Sequence, residues 1–483
     1  MIASLLIIPV IGCLLLLPIE DSTTIARKKM KKIALFISLL NLMVSIFMWI
    51  EFDANTTEYQ FVYEFKQLSF CHLNVGIDGT SLYFVLLTTF ITPLCLLSNW
   101  VDITKKIKYF LISFLILETL QIAVFVVLDL LLFYIFFESV LIPLFIIILS
   151  WGASISRIRA AFLLFLYTLF GSLFMLLAIM AILYFVGSTD FQLISLSEIS
   201  LESQKWLWLS LSFSKRYMTN RLIHSSNNTL NNKKISAIND NVKTECKSLV
   251  VYGSNLSVLI SILPDATNYF MPLVQAIAVL SLIYASLATI RQNDTKAVIA
   301  YSSVAHMAVV MLGLFSNTIQ GIEGAILLSL AHGFVSPALF VCCGGIIYNR
   351  THSRVIVYHR GLAYYMPVFT MFFLIFTLFN TGIPLSLNFA GEIMSLMGTW
   401  FRSPLVAVLG ATGIVLSACY SIFFYNRISY GSYSPYLFPL KDIDRREFIL
   451  LLSLLIPTII LGIFPNFILT SLHLSVPYFL YYI

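Results

Sequence analysis

Runs of about twenty apolar residues, separated by short polar stretches, recur along almost the whole chain. Twelve stand out, at roughly 3–18, 33–50, 81–100, 109–128, 130–150, 160–186, 270–290, 297–316, 322–347, 364–401, 404–426 and 447–469. At about 1.5 Å of rise per residue, most are long enough to cross about 30 Å of hydrocarbon as helices. Their apolar positions are continuous and do not alternate, which excludes a transmembrane β-barrel. The 364–401 run is too long for one straight helix. It carries Gly382, Pro384, Asn388 and Gly391 at its middle, and this predicts a helix broken there. The pattern predicts an all-α polytopic membrane protein with about twelve transmembrane helices.

Composition narrows the class in the same direction. The 483 residues are 59% hydrophobic and only 11% charged, against about 25% charged in a soluble chain. A soluble enzyme, a disordered chain and a disulfide scaffold are excluded. Seven cysteines, five of them (Cys13, Cys95, Cys342, Cys343 and Cys419) within apolar spans, form no CxxC or metal-like spacing and read as buried thiols. The apolar stretch Met1 to Pro18 has no basic residues ahead of it, so it reads as a retained first span and not as a cleaved signal or transit peptide. The basic residues are spread over short loops and form no patch for nucleic acid.

Those loops carry the topology. Arg27, Lys28, Lys29, Lys31 and Lys32 crowd one loop, and Lys105, Lys106 and Lys108 another. Further basic loops hold Arg157 and Arg159, then Arg291 and Lys296, then Arg350, Arg354 and Arg360, then Arg427, Lys441, Arg445 and Arg446. They alternate with connections poor in Lys and Arg at 51–75, at Asp129, at 187–204 and at 317–321. By the positive-inside rule the basic loops face one side, and both termini face the other.

One segment breaks the pattern. Residues 214–248 are rich in Asn, Lys and Ser and carry seven Lys/Arg against two acids, a charge of +5 in a chain of +6. Parity places this stretch on the side otherwise poor in basic residues. It cannot bury enough apolar area to offset the entropy of ordering it, so 214–261 is expected to be a disordered insert foreign to the fold.

Ionisable residues inside spans are costly and are functional candidates by default. Glu118, Glu138, His306, His332 and Glu392 all fall eight to ten residues into a span, near mid-depth by helix rise. Low dielectric disfavours the charged form of an acid or an imidazole. A row of such groups at one depth, bridged by water, can accept and release protons in turn. Each group alone also fits a polar side chain bonded to a neighbouring helix. Glu138 fits that reading least, because FYIFFESVLIPLF around it is wholly apolar and Pro143 one turn on can loosen the helix. Lys296, beside Asp294 at a helix entrance, fits a solvated loop charge as well as a path residue.

At these residues the chain resembles a known family. FFESVLIPLFIIILSWG at 136–152, KAVIAYSSVAHMAVVMLG at 296–313 and LSLAHGFVSPALFVCCGG at 328–345 resemble the antiporter-like proton-channel subunits in the membrane arm of respiratory complex I, NADH:ubiquinone oxidoreductase. So do 75–100 and 411–431. The resemblance covers about 1–212 and 262–483. It implies a fold of fourteen core helices in two inverted repeats, each with a broken helix, and a polar axis along the midplane. It implies that Glu138 is the glutamate coupling to the neighbouring subunit, that His306 and His332 lie on the central axis, and that Glu392 is the exit-side group of the second broken helix. Glu118 is a less secure family position.

The resemblance further implies that the chain binds no cofactor of its own, while NADH, FMN, iron–sulfur clusters and ubiquinone act in other subunits of the complex. The implied partners are neighbouring membrane-arm subunits and lipid, in the mitochondrial inner membrane. Basic loops would face the matrix and the termini the intermembrane space, and the gene would be organelle-encoded. The implied division is N-terminal helices at 1–127, a truncated first part of the proton-channel domain at 128–213, the insert at 214–261, the second half of the channel at 262–426, and a C-terminal loop and helix at 427–483. The family's seventh and eighth helices, with their two input-side lysines, have no counterpart, and Lys215 and Lys247 lie in polar sequence that cannot replace them. A stand-alone cation/proton antiporter of the same fold, or an inactive exon–intron fusion form, are the alternatives.

Overall fold

A computed structural model describes the chain except for Ser22, 66–72, Asp102, 153–156, Glu198, 212–261 and 481–483. The expectations for 214–261 therefore lie outside the described residues. Among those residues, ten helical stretches are long and apolar enough to cross a membrane, and shorter apolar helices run over Ile2–Leu16 and Pro367–Asn380. Each of the twelve runs read from the sequence is a helix or a pair of helices. The chain divides into two units by its contacts, one built on the N-terminal part and one on residues 268–476.

The first unit contains α1 (Ile2–Leu16), α2 (Thr24–Glu51), the strands β1 (Gln60–Phe65) and β2 (Leu73–Ile77), α3 (Gly79–Ser98), α4 (Ile107–Val126), α5 (Leu130–Ser139), α6 (Leu141–Trp151), α7 (Arg157–Val186), α8 (Phe191–Leu196) and α9 over 201–211. The antiparallel hairpin β1–β2 departs from the all-helical expectation. It lies in the connection read as a plain loop, where QFVYEF supplies the aromatic and β-branched residues that favour a strand. Helix starts follow capping chemistry. Asp78 accepts from the Ser81 N–H while Ser81 Oγ accepts from the Asp78 N–H, and Asp129 accepts from the N–H groups of Leu131 and Leu132.

The 130–150 run is one apolar path broken at Val140. Pro143 explains the position, since its ring clashes with the carbonyl four residues back, at Ser139.

The second unit contains most of α10 (Pro264–Arg291), then α11 (Thr295–Leu314) and α12 (Ile319–Phe340). A π-helical turn at Val341–Ile347 carries α12 on to Thr351. Next come α13 (Pro367–Asn380), α14 (Leu387–Arg402), α15 (Pro404–Ser429), α16 (Arg445–Ile463) and α17 (Asn466–Leu480). The 364–401 run is broken as expected, with Thr381–Ser386 non-helical between α13 and α14. The 447–469 reading needs correction. Its helix stops at Ile463, because Pro465 cannot continue it, and a separate helix, α17, follows.

α12 is buried from Gly321 to Phe340, and α14 presses against it backbone to backbone. A Cβ on Gly391 would lie 2.6 Å from the Leu328 nitrogen, and one on Gly398 would lie 2.3 Å from the Gly321 Cα. Small residues let membrane helices approach this closely. The consequence for the site is that α14 and α12 hold their polar residues in one fixed arrangement.

Candidate proton path

The centre of the second unit collects ionisable side chains from four elements. His306 stands in the fourth turn of α11, His332 in the middle of α12, Glu392 six residues into α14, and Tyr420 on α15. All four are buried. His306 Nδ1 lies 3.1 Å from Glu392 Oε1, and its Nε2 lies 3.4 Å from the Tyr420 hydroxyl. The His306 and His332 rings meet edge to face with centroids 5.9 Å apart. A carboxylate only accepts, so an ionised Glu392 requires the proton on Nδ1 of a neutral His306. Nε2 is then the acceptor for the Tyr420 O–H.

The break between α13 and α14 shapes the acid's seat. Gly382 has φ +73°, and a Cβ there would fall 2.5 Å from Glu392 Oε2. Only glycine serves both demands at once, a left-handed backbone and room for the carboxyl group. Ser386 then restarts the helix by accepting from the Phe389 N–H at 3.3 Å. One turn before Glu392, Asn388 is buried, and its Oδ1 has no hydrogen-bond partner among the described residues. At the end of α13, Asn380 donates to Ser421 at 3.5 Å. Asn380 and Glu392 thus lie on the two sides of the break.

The remaining candidates lie elsewhere. Glu118, on α4 of the first unit, has no exposed surface. Its Oε1 accepts from Asn41 Nδ2 at 2.7 Å, and its Oε2 has no hydrogen-bond partner among the described residues. Ser45 and Thr89, 2.7 Å apart, extend this polar contact along α2 and α3. Glu138 is half-buried at the end of α5, directly before the Val140 break, with Tyr134 one turn earlier on the same helix. Lys296 is the second residue of α11, where Asp294 Oδ1 accepts from its backbone N–H. Ten residues, or about 15 Å of helix, separate it from His306, so it does not join the His306 cluster.

Sequence reasoning missed two features. Tyr420 and Asn380 look like ordinary span residues, and only the packing of α15 and α13 brings them to His306. Glu323, five residues into α12, is buried and bonded to His473 Nδ1 of α17 at 2.9 Å. An acid inside the run IQGIEGAILL was a signal for Glu323 that could have been read. Its partner lay in the helix that was misread. Among the described residues, no group of three or more His, Cys, Asp or Glu could hold a metal ion.

Comparison with known proteins identifies the family. The family described as NADH:quinone oxidoreductase/Mrp antiporter, transmembrane, matches residues 127–218 and 249–417. The match is interrupted within the segment that the sequence marks as unlike the rest. The chain is 58% identical to NADH-ubiquinone oxidoreductase chain 4 of Mycosarcoma maydis, covering 98% of each chain. It is 42% identical to the chain of the same name from Marchantia polymorpha, covering 98% of this chain and 96% of that one. The fold is also that of a chain in respiratory complex I from Thermus thermophilus with bound NADH, with a TM-score of 0.86, 24% identity, and coverage of 100% of this chain and 99% of that one. The chain belongs to the NADH:quinone oxidoreductase/Mrp antiporter family, and within it to the NADH–ubiquinone oxidoreductase chain 4 subunits.

Proposed function

We propose that this chain is a proton-translocating membrane-arm subunit of NADH:ubiquinone oxidoreductase. It couples electron transfer from NADH to ubiquinone to proton movement across the mitochondrial inner membrane. FMN, the iron–sulfur clusters and ubiquinone act in other subunits, and this chain binds none of them. The observation that carries the reading is the buried contact of His306 with Glu392 at the break between α13 and α14, with His332 beside it. A helix broken at mid-membrane frees backbone groups to meet water and ions, and here the break seats a carboxyl group against an imidazole. An excess proton on His332 passes to His306, whose ring it meets edge to face with centroids 5.9 Å apart, and His306 passes a proton to Glu392, which releases it on the exit side.

Glu138 supplies the link to the neighbouring antiporter-like subunit, at the point where Val140 interrupts the helix. Basic loops face the matrix, and the termini face the intermembrane space. The input-side lysines of the family are absent from this form, and sequencing the mature transcript across 206–262 tests that point.

The test of the function is purification of the complex from its native membrane. The chain should copurify with NADH:ubiquinone activity, and Glu138→Gln should lower both coupled NADH oxidation and proton pumping, with Glu138→Asp milder. Failure to copurify, together with proton exchange by the isolated chain, would point to a stand-alone antiporter. Normal pumping in the Gln variant would remove Glu138 from the path.

A further inference from the structure

We infer that Tyr420, with Asn380 behind it, is the gate through which His306 is loaded and by which its protonation is tied to the broken helix. The inference rests on the proton-carrying role proposed above. It begins from the two nitrogens of His306. Nδ1 is committed to Glu392 at 3.1 Å, and Nε2 faces the Tyr420 hydroxyl at 3.4 Å. Tyr420 is 2% exposed, so no bulk water competes for that hydroxyl. The Asn380 side chain is within hydrogen-bonding reach of the same hydroxyl, and it also donates to Ser421 at 3.5 Å.

Asn380 is the last residue of α13, and Glu392 lies in α14. The side chains Asn380–Tyr420–His306–Glu392, together with the backbone from 380 to 392, therefore form a ring around the break, with α11 and α15 supplying its middle members.

Proton movement reverses the direction of this ring. In the resting state the Tyr420 O–H donates to Nε2, and the Nδ1–H donates to Glu392. A proton can enter only at Nε2, and the Tyr420 O–H occupies that lone pair. The hydroxyl must first turn away, and the acceptor in reach is the Asn380 amide oxygen, after the amide turns. The proton then bonds to Nε2, and the Nδ1–H bond breaks as that proton passes to Glu392 Oε1. One proton has entered and one has left, the imidazole is again neutral, and Nε2–H now donates to the Tyr420 oxygen. Every hydrogen bond of the ring has changed sense. Because Asn380 and Glu392 sit on opposite sides of the break, the reversal alters what each half-helix is bonded to. Loading of the carrier is thereby coupled to the state of the break.

The test uses the assembled complex in inner-membrane vesicles, with Glu392→Gln as the reference. Tyr420→Phe keeps the ring's shape and deletes only the hydroxyl. It should lower the rate of NADH-driven proton pumping by about a hundredfold, at the low end of the loss of a proton-transfer group. Asn380→Leu, which leaves the Tyr420–His306 contact, should give an intermediate loss. Infrared difference spectra between resting and turning-over complex should contain a tyrosine C–O band that Tyr420→Phe removes. A purely structural tyrosine would give no such band.

If Glu392→Gln stops pumping while Tyr420→Phe pumps normally and the tyrosine band is absent, the gate is wrong and the proton path stands. If Glu392→Gln also pumps normally, the proton path itself fails. Should Tyr420→Phe not assemble, Asn380→Leu decides the question: a lowered pumping rate with a shifted tyrosine band supports the gate, and wild-type pumping with an unshifted band overturns it.

Discussion

Replacing Gly382 by alanine should unseat Glu392 without touching any ionisable group. The added Cβ would lie 2.5 Å from Glu392 Oε2 and 3.3 Å from its Cδ. Ordinary contact begins at 3.4 Å, so the carboxyl oxygen must retreat by about 0.9 Å. The other oxygen, Oε1, meets His306 Nδ1 at 3.1 Å and would lie 3.7 Å from the new Cβ; the carboxyl group is rigid, so turning or sliding it to free Oε2 takes Oε1 out of line with that nitrogen and weakens the pair. Loss of a hydrogen bond to a charged group is worth about 1.5–3 kcal/mol, which is roughly tenfold to a hundredfold in a rate or an equilibrium. The left-handed backbone adds about 1–2 kcal/mol of strain for any residue but glycine.

Gly187 provides the control. Its φ is +78°, and nothing lies within 4 Å of a Cβ placed there. Alanine at Gly187 therefore carries the backbone strain without a displaced carboxyl group. The assay is NADH-driven proton uptake by inverted inner-membrane vesicles, with uncoupled NADH oxidation recorded alongside. We expect Gly382→Ala to lower pumping by about tenfold or more and Gly187→Ala to stay near wild type. Equal pumping in the two variants would refute the reasoning, because strain would then be the only effect and the carboxyl position would not matter.

Two further outcomes concern the ends of the spans. Arg350 grips Glu447 through both guanidinium nitrogens, at 2.7 and 3.2 Å, and also donates to the carbonyls of Lys441 and Asp442. Asp442 in turn accepts from the first N–H groups of α13. Glu447→Ala should therefore destabilise the α13 entrance by about 3–5 kcal/mol, the cost of breaking a largely buried pair. A lowered melting temperature of the purified complex would reveal it, and an unchanged one would refute it. In the loop after α12, His359 has no exposed surface, its Nε2 lies 2.9 Å from Thr351 Oγ1, and its Nδ1 has no hydrogen-bond partner among the described residues. Burial holds its pKa down at about 4, against an ordinary 6.5. Stability from keeping this imidazole neutral is complete above pH 6.5 and is lost as pH falls towards 4, by about 3 kcal/mol in all. Amide exchange in the 352–361 loop should rise over that window in wild type and not in His359→Gln.

The spans were legible because a helix that crosses hydrocarbon must be apolar throughout, and few sequences are. The break was legible because Gly382, Pro384 and Asn388 have no business in a continuous helix. His306, His332 and Glu392 were legible because an ionisable group in such a run carries a cost that needs a reason. What the local pattern could not show was who meets whom. The contacts of His306 with Glu392 and with Tyr420 span 86 and 114 residues, and nothing in either segment announces the other. Tyr420 is one tyrosine among 24, in a span where an aromatic residue needs no explanation. The α17 helix was lost for a different reason. Apolar sequence continues through Phe464 and Pro465, and only the proline's missing N–H separates two helices there. The hairpin β1–β2 escaped because its strands are short, do not alternate cleanly and lie between two spans.

If the proposed path is right, protons cross this chain by way of His306. The most direct measurement is the number of protons moved per NADH oxidised in vesicles carrying His306→Gln, beside wild type. Glutamine keeps a polar side chain at the position and cannot carry a proton. The account expects a clear fall in that ratio with the complex assembled and uncoupled NADH oxidation retained. A ratio equal to wild type would contradict it.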